Sequence, residues 1–258
     1  PRTGEKARLE MYVKIAERKA MERDDGGVDY HNLGEISSAK AGDKLYRKIP
    51  PTQGPSGKNV FGNEIDGLYG RDLKLVLGHG TAADENDENL VRATSDGELL
   101  VKNGILHVSE IHTVKGDIDF SSGNVKFNGS IRINGTVKAG FEVRAEGSIE
   151  IDGNVEDAKV IAGGDVVVKG GFVGSGEGLI KSGQDVLVKF IENQHIEADR
   201  DVTISGEAFH ASIMAGRSVY AQGKKGAIVG GQCIAKKNIE AQYFGSIAAP
   251  PTIIKNGV

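Results

Sequence analysis

Aliphatic residues recur at every sixth position along much of this chain. Stepping by six from Val125 meets Ile131, Val137, Val143, Ile149, Val155, Ile161, Val167, Val173 and Leu179, an unbroken run of ten. The register slips near residues 184–193 and resumes at Ile196, Val202, Ala208, Met214 and Tyr220. Two positions further on the chain is often apolar again (Phe127, Ile133, Ala145, Ile151), with Lys126, Arg132, Arg144 or Glu150 between. Such alternation predicts short strands with one inward face. Glycines beside Asn, Asp or Ser, as at Gly123, Gly129, Gly135 and Gly147, predict the bends that separate them.

A longer period overlies the short one. The signature small-Gly-x-polar-aliphatic returns around Ile131, Ile149, Val166, Val186, Val202, Val219 and Ile239, at spacings of 18, 17, 20, 16, 17 and 20 residues. Three six-residue sides make a coil of about eighteen residues, and roughly seven coils fit between Gly116 and Gly245. One coil cannot bury its own inner face, but stacked coils bury each other's. The pattern therefore predicts an all-β fold: a single-stranded parallel β-helix over 116–247, a smaller β-rich module over 1–115, and a tail over 248–258. Within the module, apolar segments at 8–15, 44–49, 73–77, 99–101 and 105–108 predict strands, 15–23 is the candidate helix, and the acidic stretch 82–89 reads as an exposed loop.

Composition agrees with this reading. Gly occupies 37 of 258 positions, aromatics are 5% with no Trp, and none of the six prolines falls between Ser56 and Ala249, as a continuous hydrogen-bonded sheet requires. The formal charge is −4, and 116–245 holds 14 Lys and Arg against 17 Asp and Glu, so no electrostatic footprint for nucleic acid is present. Cys233 is the single cysteine and is flanked by apolar residues, which predicts a buried small hydrophobe in a reducing compartment. No apolar run approaches the ~20 residues of a membrane helix. The ends, Pro1-Arg2-Thr3-Gly4 and Asn256-Gly257-Val258, suggest a piece of a longer protein.

Candidate chemistry is sparse. Gly223-Lys224 carries Lys225 where a phosphate-binding loop needs a hydroxyl, and the glycine-rich 170–178 precedes no helix, so a wide coil corner is the better reading. The six histidines show no zinc-binding spacing; His107 with His112, and His195 with His210, are the pairs that folding could bring together. Asp117/Asp119 and Glu156/Asp157 are the carboxylate pairs a glycosidase-type reaction would need. For an acyltransferase, His195 or His210 would have to act as general base. None has a supporting motif, so no catalytic residue, metal site or cofactor is assigned. Lys224, Lys225, Lys236 and Lys237, twelve residues apart as pairs, are candidates for a basic patch facing an acidic protein. Solvated corners that block edge pairing are the plainer account.

The runs Ser122-Gly123-Asn124-Val125-Lys126-Phe127-Asn128-Gly129, Gly140-Phe141-Glu142-Val143-Arg144-Ala145-Glu146-Gly147 and Ala162-Gly163-Gly164-Asp165-Val166 resemble the β-helix of the flagellar assembly protein A family. Upstream, Lys48-Ile49-Pro50-Pro51-Thr52-Gln53-Gly54 and Gly57-Lys58-Asn59-Val60-Phe61-Gly62 extend the resemblance over nearly the whole chain. Residues 179–193 and 250–258 depart from it. The resemblance implies a bacterial, cytoplasmic protein connected with flagellar assembly or motility, with oligomerisation left to helical regions absent here. It also implies a right-handed coil, which spacing alone leaves open. The expected function is a non-catalytic scaffold binding proteins of the motility machinery. The alternatives are a carbohydrate-active lyase or hydrolase and a polymerising cytoskeletal β-helix.

Overall fold

The computed structural model describes residues 1–15, 21–22, 28–29, 31, 33–247 and 250–257. It divides into two compact units, Pro1–Glu17 with Ser37–Glu110 and Arg18–Ile36 with Ile111–Val258.

The first unit is antiparallel. Lys44–Ile49 lies between Arg8–Met11 and Asp87–Ala93, which continues to Thr81–Asp84, while Gly97–Lys102 pairs with Ile105–Ser109 and Ser38–Ala39. Leu45, Tyr46, Val91, Ala93, Leu99, Leu106 and Val108 form its core. The acidic stretch 82–89 is a hairpin and not a loop. Asp84 and Asp87 accept backbone N–H groups at the turn and pair with Arg92 and Arg47, so the charges sit on a paired edge. Residues 73–77 form no strand; Leu75 packs on the core and the Val76 carbonyl accepts the Tyr46 hydroxyl at 3.0 Å. The helix expected over 15–23 falls mostly outside the described residues, and Met21–Glu22 within it pairs antiparallel with Val28–Asp29.

The second unit is a β-solenoid of about eight coils, each strand pairing in parallel with the strand one coil on. The first wall is built from Ile111–Val114, Ser130–Ile133, Ile149–Ile151, the starts of Val166–Val173 and Val186–Glu192, Val202–Ile204, Ser218–Ala221 and Asn238–Ala241. Its registers Ile131↔Ile149↔Val166↔Val186↔Val202↔Val219↔Ile239 reproduce the long period of the sequence signature. Ile111–Val114 lies ahead of residue 116 and is already a coil strand, and Thr252–Asn256 closes the last coil against Gly231–Ala235. The second wall carries Val137, Val155, Phe172, Ile191, Ala208 and Ile228; the third carries Val125, Val143, Val160, Ile180, Ile196, Ile213 and Cys233. These side chains merge into one core. At about 1.5–3 kcal/mol for each fully buried Val or Ile, that shared interior is what holds the coils together.

The six-residue step misleads beyond Val155. Ile161, Val167, Val173 and Leu179 do not enter the core; Val160, Val166, Phe172 and Ile180 do. The slip is therefore at residues 156–158, a coil and a half before the expected place, where Asp157 adopts φ 34°. A one-residue change of register moves every following side chain to the opposite face. Met214 and Tyr220 likewise point outward, after His210 at φ 50°, and Ile213 and Val219 point inward.

Candidate functional site

The polar residue of the repeated signature has a definite task. At the corner entering the first wall, the Ser148 N–H donates to Ser130 Oγ and the Asp165 N–H to Ser148 Oγ, both at 3.1 Å. The Asp185 N–H donates to Asp165 Oδ1, the Asp201 N–H to Asp185 Oδ1 (each 3.0 Å), and the Ser218 N–H to Asp201 Oδ1 at 2.9 Å. Each side chain caps the backbone of the next coil, which satisfies donors that a sharp corner removes from the sheet. Arg200 and Arg217 lie 3.0 and 3.6 Å from Asp185 and Asp201 and neutralise the column.

The corner between the second and third walls is a column of left-handed residues: Gly140, Asp157, Asn193, His210 and Gly230, with φ from 34° to 82°. Here the chain departs most from a regular coil. The glycine-rich stretch 170–178 is two corners and not one. Gly171 lies under the Phe190 ring, where a Cβ would come within 2.3 Å, and Phe172 enters the core before the chain turns again at 174–178. That second turn wraps the Asp157 carboxylate, which accepts the N–H groups of Ser175, Gly176 and Glu177, the Ser175 hydroxyl, and the Gln194 amide at 2.6 Å. Burial raises the Asp157 pKa, but the hydrogen bonds, Gln194 first, outweigh it and hold the group well below the usual carboxylate range. The loop is shaped to receive an anion, and the protein's own carboxylate is that anion.

The other chemical candidates are similarly engaged. Asp119 accepts the N–H and hydroxyl of Ser121, which lower its pKa, and Asp117 accepts the Thr136 N–H at 2.8 Å. Glu156 pairs with Lys138 at 3.1 Å. A glycosidase acid needs a pKa pushed upward, and both Asp119 and Asp157 are pushed down. Ser212, not His210, lies in register with His195, whose Nε2 is 3.1 Å from the Gly176 carbonyl. His107 Nδ1 accepts the His79 N–H at 2.9 Å. Among the described residues no three His, Cys, Asp or Glu converge as metal ligands. Cys233 lies fully inside the core, and burial pushes its thiol up to about 12.

The two lysine pairs do not form one patch. Twelve residues are two thirds of a coil, so Lys224-Lys225 lie in the turn leaving the first wall and Lys236-Lys237 at the corner entering it one coil later. All four are exposed, and among the described residues none makes an ion pair. They bracket the outer face of the first wall at its two ends.

That outer face changes along its length. In the second and third coils Arg132 lies 3.5 Å from Glu150 and 3.7 Å from Asp152, and Lys169 lies 2.7 and 2.6 Å from the same carboxylates. From the fourth coil to the seventh the outward residues are Val167, Leu187, Thr203 and Tyr220, in direct register. Leu187 is 42% exposed. This stripe was not legible from the sequence, because its members lie on or beside the six-residue pattern that suggested an interior.

Residues 110–258 match the family model described as the Flagellar Assembly Protein A beta solenoid domain, and residues 1–104 match that of the Flagellar Assembly Protein A N-terminal region. No curated protein and no solved structure matches the chain.

Proposed function

The chain belongs to the Flagellar Assembly Protein A family, and on that premise we propose that it is a non-catalytic scaffold, acting in the cytoplasm, that binds proteins connected with flagellar assembly or motility. The observation that supports this reading is how the solenoid uses its chemistry. Asp117, Asp119, Asp157, Asp165, Asp185 and Asp201 are committed to backbone donors of their own or adjoining coils, so they hold the coils in register. What remains for a partner is a rigid outer surface. A protein is the partner this surface suits, since the near-balanced charge of the solenoid gives no phosphate-tracking groove. Among the described residues no helix is long and apolar enough to cross a membrane.

The test is affinity capture with this chain from extracts of motile bacterial cells, read by mass spectrometry, alongside binding and cleavage assays on a polysaccharide panel. One stoichiometric protein partner is the expected result. Polysaccharide binding or cleavage with no protein retained would replace the scaffold by a carbohydrate-active enzyme. Concentration-dependent filaments of the purified chain would replace it by the cytoskeletal alternative.

A further inference from the structure

We propose that the outer face of the first wall, over its fourth to seventh coils, is the docking surface for an acidic amphipathic helix of a protein partner. The inference rests on the scaffold reading and names its surface and the chemistry of its occupant.

Three features on this wall converge. First, Val167, Leu187, Thr203 and Tyr220 are four consecutive uncharged outward positions in register, bounded along the axis by Glu150 and Glu240, with Lys169 beside Val167 on the leaving side. Second, the corner leaving these strands is basic, and the corner entering them is balanced apart from Lys236 and Lys237, which make no ion pair among the described residues. Lys169, Lys189, Lys224 and Lys225 line the leaving corner against Glu207, while Arg200, Arg217, Lys236 and Lys237 share the entering corner with Asp165, Asp185, Asp199 and Asp201. Arg200 and Arg217 are taken up by Asp185 and Asp201, and Lys169 by Glu150 and Asp152, so Lys189, Lys224, Lys225, Lys236 and Lys237 are the cations left to meet a partner. Third, the dimensions fit a helix. Rungs repeat at about 4.8 Å, close to the ~5.4 Å rise of one helical turn, so apolar residues at i, i+3/4 and i+7 can follow the stripe along the solenoid axis. The three to four residues of each strand span about 10–13 Å, which matches the ~10–12 Å diameter of a helix. Acidic residues on its flanks would then reach Lys189, Lys224 and Lys225 on one side and Lys236-Lys237 at the end of the other. An added β-strand does not suit this place, because these wall strands are already paired on both sides.

The test uses a fluorescein-labelled synthetic amphipathic helix with leucines on one face and glutamates flanking them, titrated against the chain by fluorescence anisotropy. Two counter-probes carry lysine for glutamate, or the same residues in scrambled order. The glutamate probe should bind and both counter-probes should not. Leu187→Glu should weaken binding by about tenfold or more. The double variant Lys224→Glu with Lys225→Glu should weaken it several-fold, more at low salt than at high. Lys126→Glu, on the third wall, should leave it unchanged. Melting by circular dichroism checks the fold of each variant, and Leu187→Ser replaces Leu187→Glu should the latter unfold. Equal binding of the scrambled probe, no binding of the glutamate probe, or unchanged binding by a folded Leu187 variant each overturns the proposal. The failure of the scaffold reading is separately visible. If the partner captured from cells is retained equally by Leu187→Glu, the scaffold stands and this surface is wrong.

Discussion

In the second and third coils of the first wall, Arg132, Glu150 and Asp152, joined by Lys169, cover the exterior with mutual ion pairs; from the fourth coil to the seventh, Val167, Leu187, Thr203 and Tyr220 take their place. Behind both stretches the interior is the same: Ile133 and Ile151 in one, Val188 and Ile204 in the other, each essentially without exposed surface. The backbone register and the corner ladder also continue unchanged from Ser130 to Ser218. Folding demands therefore act on the inward positions and the corners alone. A charged ladder suits a wall facing water, whereas a row of outward apolar residues adds only cross-strand contacts of about 0.2–1 kcal/mol each and exposes hydrophobic surface. On the docking proposal, the difference between the two stretches is what each wall meets.

The comparison can be broken most severely from the inside. Ile151→Ala and Ile204→Ala should each cost about 3–4 kcal/mol by the loss of buried methyl groups and the cavity left behind. The two losses, read from urea unfolding, should be similar. A clear inequality would mean that the interior also distinguishes the two stretches. Next in size, Asp157→Ala leaves several loop donors without their acceptor and should cost about 3 kcal/mol.

The pH dependence of Asp157 has a fixed sign. Its folded pKa is depressed, so its contribution is complete above the unfolded carboxylate value of about 3.9 and is lost as pH falls below it toward the folded value. Between about pH 5 and pH 3 the wild type should lose stability more steeply than Asp157→Asn, as measured by denaturant midpoints. Equal slopes would remove Asp157 from the account of the corner.

Within the ladder, Asp201→Ala should cost about 1–2 kcal/mol, because the Ser218 N–H and Arg217 both lose a partner. The smallest effects belong to the exterior. Glu150→Gln should change stability by no more than about 0.5 kcal/mol, since its pairs are exposed. Leu187→Ser should be equally mild in unfolding while reducing binding of the acidic helical probe. Together those two results would separate a wall built for water from one built for a partner.

How far the fold was legible depended on the kind of residue. The Ser or Asp before the aliphatic residue, as in Ser148-Ile149 and Asp201-Val202, marks six successive coils from Ser130 to Ser218, and from Ser130 to Asp201 its side chain caps the next coil's backbone at the same corner. The aliphatic run was a poorer guide. Ile161 and Val167 look like interior residues, yet the left-handed turn at Asp157 reverses the parity and sends them outward. A β-branched side chain suits either face of a strand, so only the register decides which it occupies. The lysine pairs were visible as charges, but their placement depended on how twelve residues divide among corners and walls.

The sequence by itself determined the all-β class, the coil length and the recurring polar position at each corner, because these follow from local periodicity and from a signature repeated once per coil. Only the tertiary structure decided which face each strand turns inward, that the Asp157 carboxylate occupies the loop at 174–178, and that the lysine pairs bracket an apolar stripe. Those outcomes depend on φ values at single corner residues and on contacts between positions a coil apart, and such long-range consequences of a one-residue shift leave no mark on local composition.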